Sequence, residues 1–288
     1  MRKFLNKYWG WTFLIIPLML QAIFFYFPMF QGAFYSFTNW TGLTYTFDFV
    51  GINNYKILMT DSKFFKALGF TLILTLALIV GEIVIGIWVA RALNAKIKGQ
   101  TFFRAWFFFP AVLSGLTVSL IFKQVFNYGL PAIGEVLNIE FLKTSLLGTS
   151  GGAIFAAIFV MLWQGVAMPI ILFLSGLQTI PSEITEAAAI DGANSKQTFW
   201  NIELPYLLPS MSMVFIMALK AGLTAFDQIF ALTGGGPSNS TTSIGLLVYN
   251  YAFSSNQYGY ANAIALILFA IIVLVSVLQL KLSSRFEV

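Results

Sequence analysis

Long stretches without charge constrain this chain more than any other feature. No Asp, Glu, Lys or Arg occurs between Lys7 and Asp48, and only Glu82 interrupts the stretch between Lys66 and Arg91. About 20 mostly apolar residues suffice to cross a bilayer as a helix, whose backbone groups then bond to one another. Charged residues make up 9% of the chain, against about 25% in soluble domains, so lipid must cover part of its surface.

The charge-poor stretches divide the chain into six predicted membrane-spanning helices. They cover Trp11–Phe30, the residues between Lys66 and Arg91, Ala105–Phe122, Gly152–Leu177, Tyr206–Leu232 and Tyr260–Leu280. The predicted fold class is an all-α integral membrane protein with six transmembrane helices, in which residues 1–288 form a single transmembrane domain. The chain starts as a signal sequence would, but the apolar run is too long and no small-x-small site follows it, so we expect an uncleaved first helix.

The distribution of basic residues predicts the orientation in the membrane. If both termini are cytoplasmic, ten basic residues lie inside and five outside, in agreement with the positive-inside rule. The inside set is Arg2, Lys3, Lys7, Arg91, Lys96, Lys98, Arg104, Lys196, Lys281 and Arg285, and the outside set is Lys56, Lys63, Lys66, Lys123 and Lys143. The expected location is the cell membrane, in contact with lipid. We attribute the net charge of +5 to this bias and expect no nucleic-acid partner.

The chain contains neither Cys nor His. It therefore lacks the usual ligands of zinc, haem and iron–sulfur clusters, and it cannot form a Ser-His or Cys-His nucleophile. No Gly-Lys dipeptide occurs, so a phosphate-binding P-loop is excluded as well. We expect no catalytic residue, no metal and no cofactor in this chain. If ATP is used, another subunit should bind it.

The loop between the fourth and fifth predicted spans carries the clearest local signals. Ser182 is expected to be the N-cap of a short helix. Gly192 should end that helix, because it can adopt positive φ at the position after the last turn. Asn194 or Ser195 can cap a second helix, which Pro205 should end before the fifth span. The prediction is a helix, a tight glycine turn and a helix at the membrane surface.

Apolar residues are frequent in this loop, although it should face water. They are Ile190, Phe199, Trp200 and Ile202. Either these side chains pack against the membrane ends of the spans, or they form a docking surface for another protein. Composition alone does not decide between the two.

A resemblance to a known family favours the docking surface. It reads Glu186-Ala187-Ala188, three residues, Gly192, nine residues, then Ile202-x-Leu204-Pro205. This pattern resembles the signature of importer permeases of the ATP-binding-cassette (ABC) class, in which the loop is a coupling helix that inserts into a cleft of the ATPase. The resemblance implies that the loop, residues 178–205, contacts an ATPase through Glu186, Ala187, Ala188, Asp191, Gly192, Ile202, Leu204 and Pro205.

Further segments extend the resemblance over most of the chain. Phe25–Pro28, Tyr35–Trp40, Phe49–Tyr55 and Leu232–Pro237 resemble the carbohydrate branch of these permeases, which includes the maltose and glycerol-phosphate permease subunits. The large external insertion and extra leading helices of the maltose permease subunit do not occur here. The resemblance implies the type I ABC importer fold. It also implies a second permease subunit, two ATPase subunits that bind ATP and Mg²⁺, and an extracellular solute-binding protein that delivers a sugar, expected to be an oligosaccharide.

Polar residues within the predicted spans are candidates for a sugar path. Lys220 and Asp227 are seven residues apart, which would place them on nearly one face of a continuous fifth helix. By resemblance, the middle of this span is also where the family contacts sugar. The candidates are Lys220, Gly222, Thr224, Asp227, Trp163, Gln164 and Asn262. Structural alternatives remain, because Lys220 could instead pair with a neighbouring carboxylate and Trp163 could simply pack. Ser114 and Gly115 are expected to permit close helix packing rather than to bind ligand.

The resemblance implies a permease subunit of an ATP-driven sugar importer that works by alternating access. An ion-coupled secondary transporter subunit is the main alternative, with Glu82 and Asp227 as its only candidate coupling carboxylates within spans. An intramembrane enzyme and a structural assembly protein without a transport path are further alternatives. Uptake that depends on ATP and survives an uncoupler would separate the importer from the ion-coupled transporter.

Overall fold

The computed structural model describes residues 13–95 and 99–283. Within these ranges the chain is helical, and its one β pairing is an isolated antiparallel bridge between Thr38 and Phe49. The helices are α1 (Phe13–Tyr35), α2 (Asn53–Leu58), α3 (Ser62–Asn94), α4 (Gln100–Val112), α5 (Gly115–Leu137), α6 (Ser150–Gly165), α7 (Ala167–Gln178), α8 (Ser182–Ile190), α9 (Ser195–Leu223), α10 (Asp227–Leu232), α11 (Ile244–Ser254) and α12 (Tyr258–Ser283), with 3-10 turns at Glu140–Leu142 and Leu146–Gly148.

The all-α membrane fold class is confirmed. Helices α1, α3, α9 and α12 are each long and apolar enough to cross a membrane, and the total reaches the predicted six if each of the bent pairs α4–α5 and α6–α7 is one span. Several sequence predictions lie outside the described residues. They concern the start of the first span at Trp11 and the inside basic residues Arg2, Lys3, Lys7, Lys96, Lys98 and Arg285.

The third predicted span, Ala105–Phe122, is not a continuous helix, and in this respect the prediction is wrong. α4 and α5 meet at an angle of 96°. Leu113 and Ser114, between them, have extended backbones with ψ of 146° and 129°. Pro110 lies in the last turn of α4, where it supplies no N–H to continue the helix. The fourth span also bends, by 45°, where α6 meets α7.

Three long helices pass through a proline by way of a wide π-helical turn. These turns are Ala22–Tyr26, Val125–Gly129 and Phe199–Glu203, and each ends two residues before a proline, at Pro28, Pro131 and Pro205 respectively. A proline ring collides with the carbonyl four residues earlier in a regular α-helix. A wider turn changes the position of that carbonyl, so the helix continues. The prediction that Pro205 ends the second helix of the loop is therefore wrong.

The described chain divides into two compact units. The larger comprises residues 62–247 and 268–283, and the smaller comprises residues 13–61 and 248–267. The single-domain organisation inferred from the sequence stays a prediction.

Polar bonds connect distant segments within the smaller unit. Asp61 accepts hydrogen bonds from the hydroxyls of Tyr251 at 2.7 Å and Tyr260 at 2.9 Å. The amide of Asn54 donates to two backbone carbonyls of the segment that follows α1, at 2.8 and 2.9 Å. Burial and the neighbouring Asp61 carboxylate raise the pKa of Tyr251, so its hydroxyl remains a donor.

The core of the larger unit lies between α3, α7 and α9. Its buried side chains include Ile87, Ala90, Leu93, Ile170, Phe173, Leu207 and Val214. Two glycines allow the helices to approach closely. A Cβ at Gly86 would lie 3.0 Å from the Phe173 ring, and a Cβ at Gly222 would lie 2.6 Å from the Cα of Thr75. Small residues at such contacts are typical of helices that associate in lipid, where van der Waals packing replaces the hydrophobic effect.

Candidate functional site

The loop 178–205 folds as two helices around a glycine. Ser182 is the first residue of α8 and not its N-cap, because the preceding proline holds the cap position and no side chain caps the helix. Gly192 has φ of 77°, as predicted. Its N–H and that of the next residue donate to the carbonyls of Ala189 and Ala188, at 3.2 and 2.9 Å. This pair of bonds is the Schellman arrangement that closes a helix C-terminus.

Asn194 caps the second helix of the loop, α9. Its side chain accepts from the N–H groups of Lys196 and Gln197 at 3.1 and 3.0 Å, and the Gln197 side chain accepts from the Asn194 N–H at 2.8 Å. This reciprocal capping box selects Asn194 from the two predicted caps. Because α9 continues to Leu223, no irregular segment separates the loop from the fifth span.

α8 is an exposed helix of small and apolar side chains. Glu186, Ala187 and Asp191 are exposed, and Ala188 is half-buried. Ile190, at the end of the helix, is 86% exposed. Little side chain therefore separates the α8 backbone from whatever approaches it. The exposed side of α8 thus combines short side chains and Glu186 with Ile190, its most exposed large apolar residue.

The other conspicuous residues of the loop differ in exposure. Trp200 is 57% exposed, whereas Ile202 and Leu204 are half-buried and Pro205 is exposed. A Cβ at Gly192 would have no atom of the described residues, other than its chain neighbours, within 4 Å. The tip of the loop is thus free of packing constraints from the described residues, while its base packs on the rest of the unit.

Arg91 joins the base of the loop to α3. Its guanidinium lies 2.5 Å from the carboxylate of Glu203, 3.4 Å from the hydroxyl of Ser195 and 4.6 Å from the centre of the Phe199 ring. From the sequence, Arg91 was expected only to indicate the orientation in the membrane, and its contact with Glu203 was not predicted. Arg91 and Glu203 are 112 residues apart, so only the fold brings them together.

A cavity of about 610 Å³ lies in the larger unit, between α3, α6 and the two breaks that follow α4 and α9. Its polar lining residues are Glu82, Ser114, Gln164, Thr224, Asp227 and Gln228. Three of the predicted path residues are therefore in its wall. No Lys or Arg of the described residues lines it.

A chain of amide bonds stabilises the break between α4 and α5. Gln164 donates from its Nε2 to the carbonyl of Leu113 at 2.7 Å and to that of Pro110 at 3.4 Å, which also accepts from the Leu113 N–H at 3.3 Å. Gln228 in turn donates to Gln164 Oε1 at 2.7 Å. A Cβ at Gly115 would lie 3.2 to 3.3 Å from the Gln228 and Gln164 side chains. Gln164 thus satisfies backbone groups that lipid could not.

The fifth predicted span ends earlier than expected. α9 stops at Leu223, and Thr224 to Phe226 leave the helix before Asp227 starts α10. The prediction that Lys220 and Asp227 share one face of a continuous helix is therefore wrong. Thr224 and Asp227 line the cavity because the chain breaks beside it.

The remaining candidates lie elsewhere. Lys220 is exposed and does not line the cavity. Gly222 is buried against Thr75. Trp163 packs edge-on against Phe122 at 5.4 Å and lines a separate, mostly apolar cavity of about 340 Å³.

Asn262 belongs to the smaller unit, and its amide donates to the Tyr258 carbonyl of its own helix. Ser114 and Gly115, which the sequence assigned to packing, line the larger cavity instead. Pro110 and Gly115, which flank the break, are the sequence signals that could have located it.

Glu82 is the most deeply buried ionisable group in the cavity wall. It lies in the middle of α3, it is 4% exposed, and it lines the cavity. Its carboxylate is close to α6, where a Cβ on Gly165 would lie 2.6 Å from Glu82 Oε1. Within the described residues, no hydrogen bond or ion pair engages this carboxylate.

A family model, related sequences and solved structures all match this chain to transport proteins. The family described as "Binding-protein-dependent transport system inner membrane component" matches residues 82–288. A multiple sugar-binding transport system permease protein of Streptococcus mutans is 85% identical over 287 residues, which are 100% of this chain and 99% of that protein.

Solved structures agree on the fold. A bacterial ABC transporter involved in the import of the acidic polysaccharide alginate matches with a TM-score of 0.84 at 18% identity, over 99% of both chains. The bacterial alginate transporter in complex with its alginate pentasaccharide-bound periplasmic protein matches with a TM-score of 0.80 at 18% identity, over 99% of this chain and 97% of that one.

Proposed function

The chain belongs to the family of inner membrane components of binding-protein-dependent transport systems, and from this membership we propose that it moves sugar from an external binding protein to the cytoplasm. It is a permease subunit of an ABC sugar importer and not an enzyme. The observation that carries the sugar assignment is the 85% identity, over the whole chain, to a sugar-transport permease.

The loop 178–205 is the proposed contact with the ATPase. Support comes from the exposed α8, the absence of neighbours around Gly192, and the continuity of α9 with the fifth span. The Arg91–Glu203 ion pair fastens the base of the loop to α3. Movement of the loop would therefore be passed to two helices, α3 and α9, rather than absorbed in a flexible joint.

The cavity of the larger unit is the proposed part of the sugar path. Glu82 and Arg91 lie nine residues apart on α3, a rise of about 13 Å, so the helix that meets the loop also forms the cavity wall. Gln164, Gln228 and Thr224 offer amides and a hydroxyl that match the hydroxyls of a sugar. Closure of the ATPases would shift both helices and change access to the cavity.

The remaining subunits follow from the family. A second permease subunit, two ATPases that bind ATP and Mg²⁺, and an external solute-binding protein would complete the importer. With the loop facing the ATPases, the loop and both termini would be cytoplasmic. An oligosaccharide is the proposed cargo.

The test is uptake by the complete complex in proteoliposomes. With binding protein and radiolabelled sugar outside and ATP in the lumen, we expect accumulation that stops when ATP is omitted and survives an uncoupler. The cavity does hold two carboxylates, Glu82 and Asp227, which an ion-coupled transporter would need. Uptake without ATP that an uncoupler abolishes would overturn the proposal in favour of that alternative.

A further inference from the structure

Glu82 occupies an unusual position for a carboxylate. It is 4% exposed in the middle of a membrane-spanning helix, it lines the cavity, and no described side chain or backbone group bonds to it. A carboxyl group in such a place is costly unless something hydrogen-bonds to it. Because Glu82 lines the cavity, its carboxylate can bond to water or a ligand in the cavity, or to a group of another subunit.

The neighbours of Glu82 indicate the class of the missing partner. Gln164 and Gln228 bond to each other and to the helix break, which fixes their positions in the wall. Asp227 adds a second carboxylate, and no described Lys or Arg contributes to the lining. Such a wall accepts hydrogen bonds from hydroxyl groups and repels anions. An uncharged, hydroxyl-rich ligand fits it, and a phosphorylated or uronic sugar does not.

We propose that Glu82 is a ligand-binding residue that accepts a hydrogen bond from a hydroxyl of an uncharged sugar in this cavity. The inference rests on the proposed function, because it needs sugar to pass through the cavity. Glu82 lies on α3, and it belongs neither to the proposed ATPase contact nor to the path candidates in the fifth span. Gly165 contributes by leaving room for the Glu82 carboxylate.

The experiment compares Glu82→Ala, Glu82→Gln and the control Glu135→Ala in the complete reconstituted importer. Glu135 is an exposed carboxylate on α5 outside the cavity. Three quantities are measured: the yield of assembled complex, the ATP hydrolysis stimulated by sugar-loaded binding protein, and the number of sugars imported per ATP. The probe is a radiolabelled neutral trisaccharide that the wild-type complex imports.

We expect Glu82→Ala to assemble and to retain stimulated hydrolysis, while sugar imported per ATP falls about tenfold, the loss expected for one charge-assisted hydrogen bond. Glu82→Gln should stay within about twofold of wild type, because its amide still bonds to hydroxyls. Glu135→Ala should match wild type.

Two results would overturn the proposal. Unchanged sugar per ATP in Glu82→Ala would remove Glu82 from ligand binding. A similar fall in assembled complex for both Glu82 variants would show that Glu82 pairs with another subunit. Failure of the proposed function is distinguishable from both, because the wild-type complex itself would then show no ATP-driven uptake.

Discussion

The loop 178–205 and the cavity wall are held together in opposite ways. Between Ser182 and Asn194, the hydrogen bonds of the loop join residues at most five positions apart, and a Cβ at Gly192 would have no non-neighbouring described residue within 4 Å. The cavity wall depends on partners such as Gln164 and Leu113, which are 51 residues apart. The loop therefore keeps its shape independently of the spans, as a docking element should. The wall exists only when several helices are correctly packed.

A change at the contact between Gly222 of α9 and Thr75 of α3 should have the largest effect on stability. In Gly222→Ala the new Cβ would lie 2.5 Å from Thr75 Oγ1 and 2.6 Å from Thr75 Cα, so α9 must move away from α3. We expect a loss of about 3 kcal/mol of stability, at the upper end for overpacked cores. The measurement is the thermal midpoint of the solubilised complex.

Gly69→Ala is the matched control, because Gly69 also lies in α3 but has nothing within 4 Å of its Cβ position. It should be neutral or slightly stabilising, since alanine favours the helix. Equal midpoints for the two variants would mean that Gly222 is not a packing residue and would return it to the candidates for sugar contact.

Replacement of Gln164, whose amide bonds to the break between α4 and α5, should have the second-largest effect on stability. Gln164→Ala removes the amide from the Leu113 carbonyl, leaves the Pro110 carbonyl with only the Leu113 N–H, and frees the Gln228 amide. We expect destabilisation of about 2 kcal/mol, the cost of unsatisfied buried polar groups, and a parallel loss of uptake. Gln124→Ala, at an exposed position on α5, is the control. Full stability of Gln164→Ala would contradict the structural role of the amide chain.

Loss of the Arg91–Glu203 ion pair, which joins the loop to α3, should have a smaller effect on stability. Arg91→Ala removes a partly exposed ion pair with Glu203, which contributes about 1 kcal/mol or less to stability. We expect the ATPase to stay bound while sugar-stimulated hydrolysis falls severalfold, because the loop is no longer fastened to α3. The double variant Arg91→Glu with Glu203→Arg should restore part of the stimulation.

Lys143→Ala is the control for that experiment. It removes the exposed ion pair with Glu140, which lies far from the loop in sequence, and it should leave hydrolysis unchanged. If Arg91→Ala behaves like Lys143→Ala, the ion pair at the base of the loop does not transmit its movement.

The same contrast explains what the sequence could predict. Gly192 as a helix end, and Asn194 or Ser195 as a cap, could be predicted because such signals depend on neighbouring residues, although the predicted cap Ser182 was wrong. The prediction for Pro205 failed because a π-helical turn accommodates it. Lys220 and Asp227 were misplaced because the periodicity argument assumed one helix and did not treat Gly222, two residues before the break at Thr224, as a helix-end signal.

Long-range pairs were not predictable from spacing. The contact between Arg91 and Glu203, and the bond from Gln164 to the break before α5, join residues that only the packed helices bring together. The charge-free runs predicted the membrane class because the bilayer imposes that pattern on any spanning helix. They carry no information on where a span bends, since the bent and straight forms are equally apolar.

The most direct test of the account is whether changes confined to the loop release the ATPase. Gly192→Val imposes a side chain on φ of 77°, at a cost of about 1 kcal/mol or more, and Glu186→Lys reverses the exposed charge of α8. Gly51→Val is the matched control, because Gly51 also has positive φ, of 57°, but lies outside the loop.

The measurement is co-purification of the ATPase with each permease variant, together with sugar-stimulated ATP hydrolysis. Gly192→Val and Glu186→Lys should lose both, Gly192→Asn should be the mildest change because asparagine tolerates positive φ, and Gly51→Val should retain both. If Gly192→Val and Glu186→Lys keep the ATPase and full stimulation, the loop is not the coupling element.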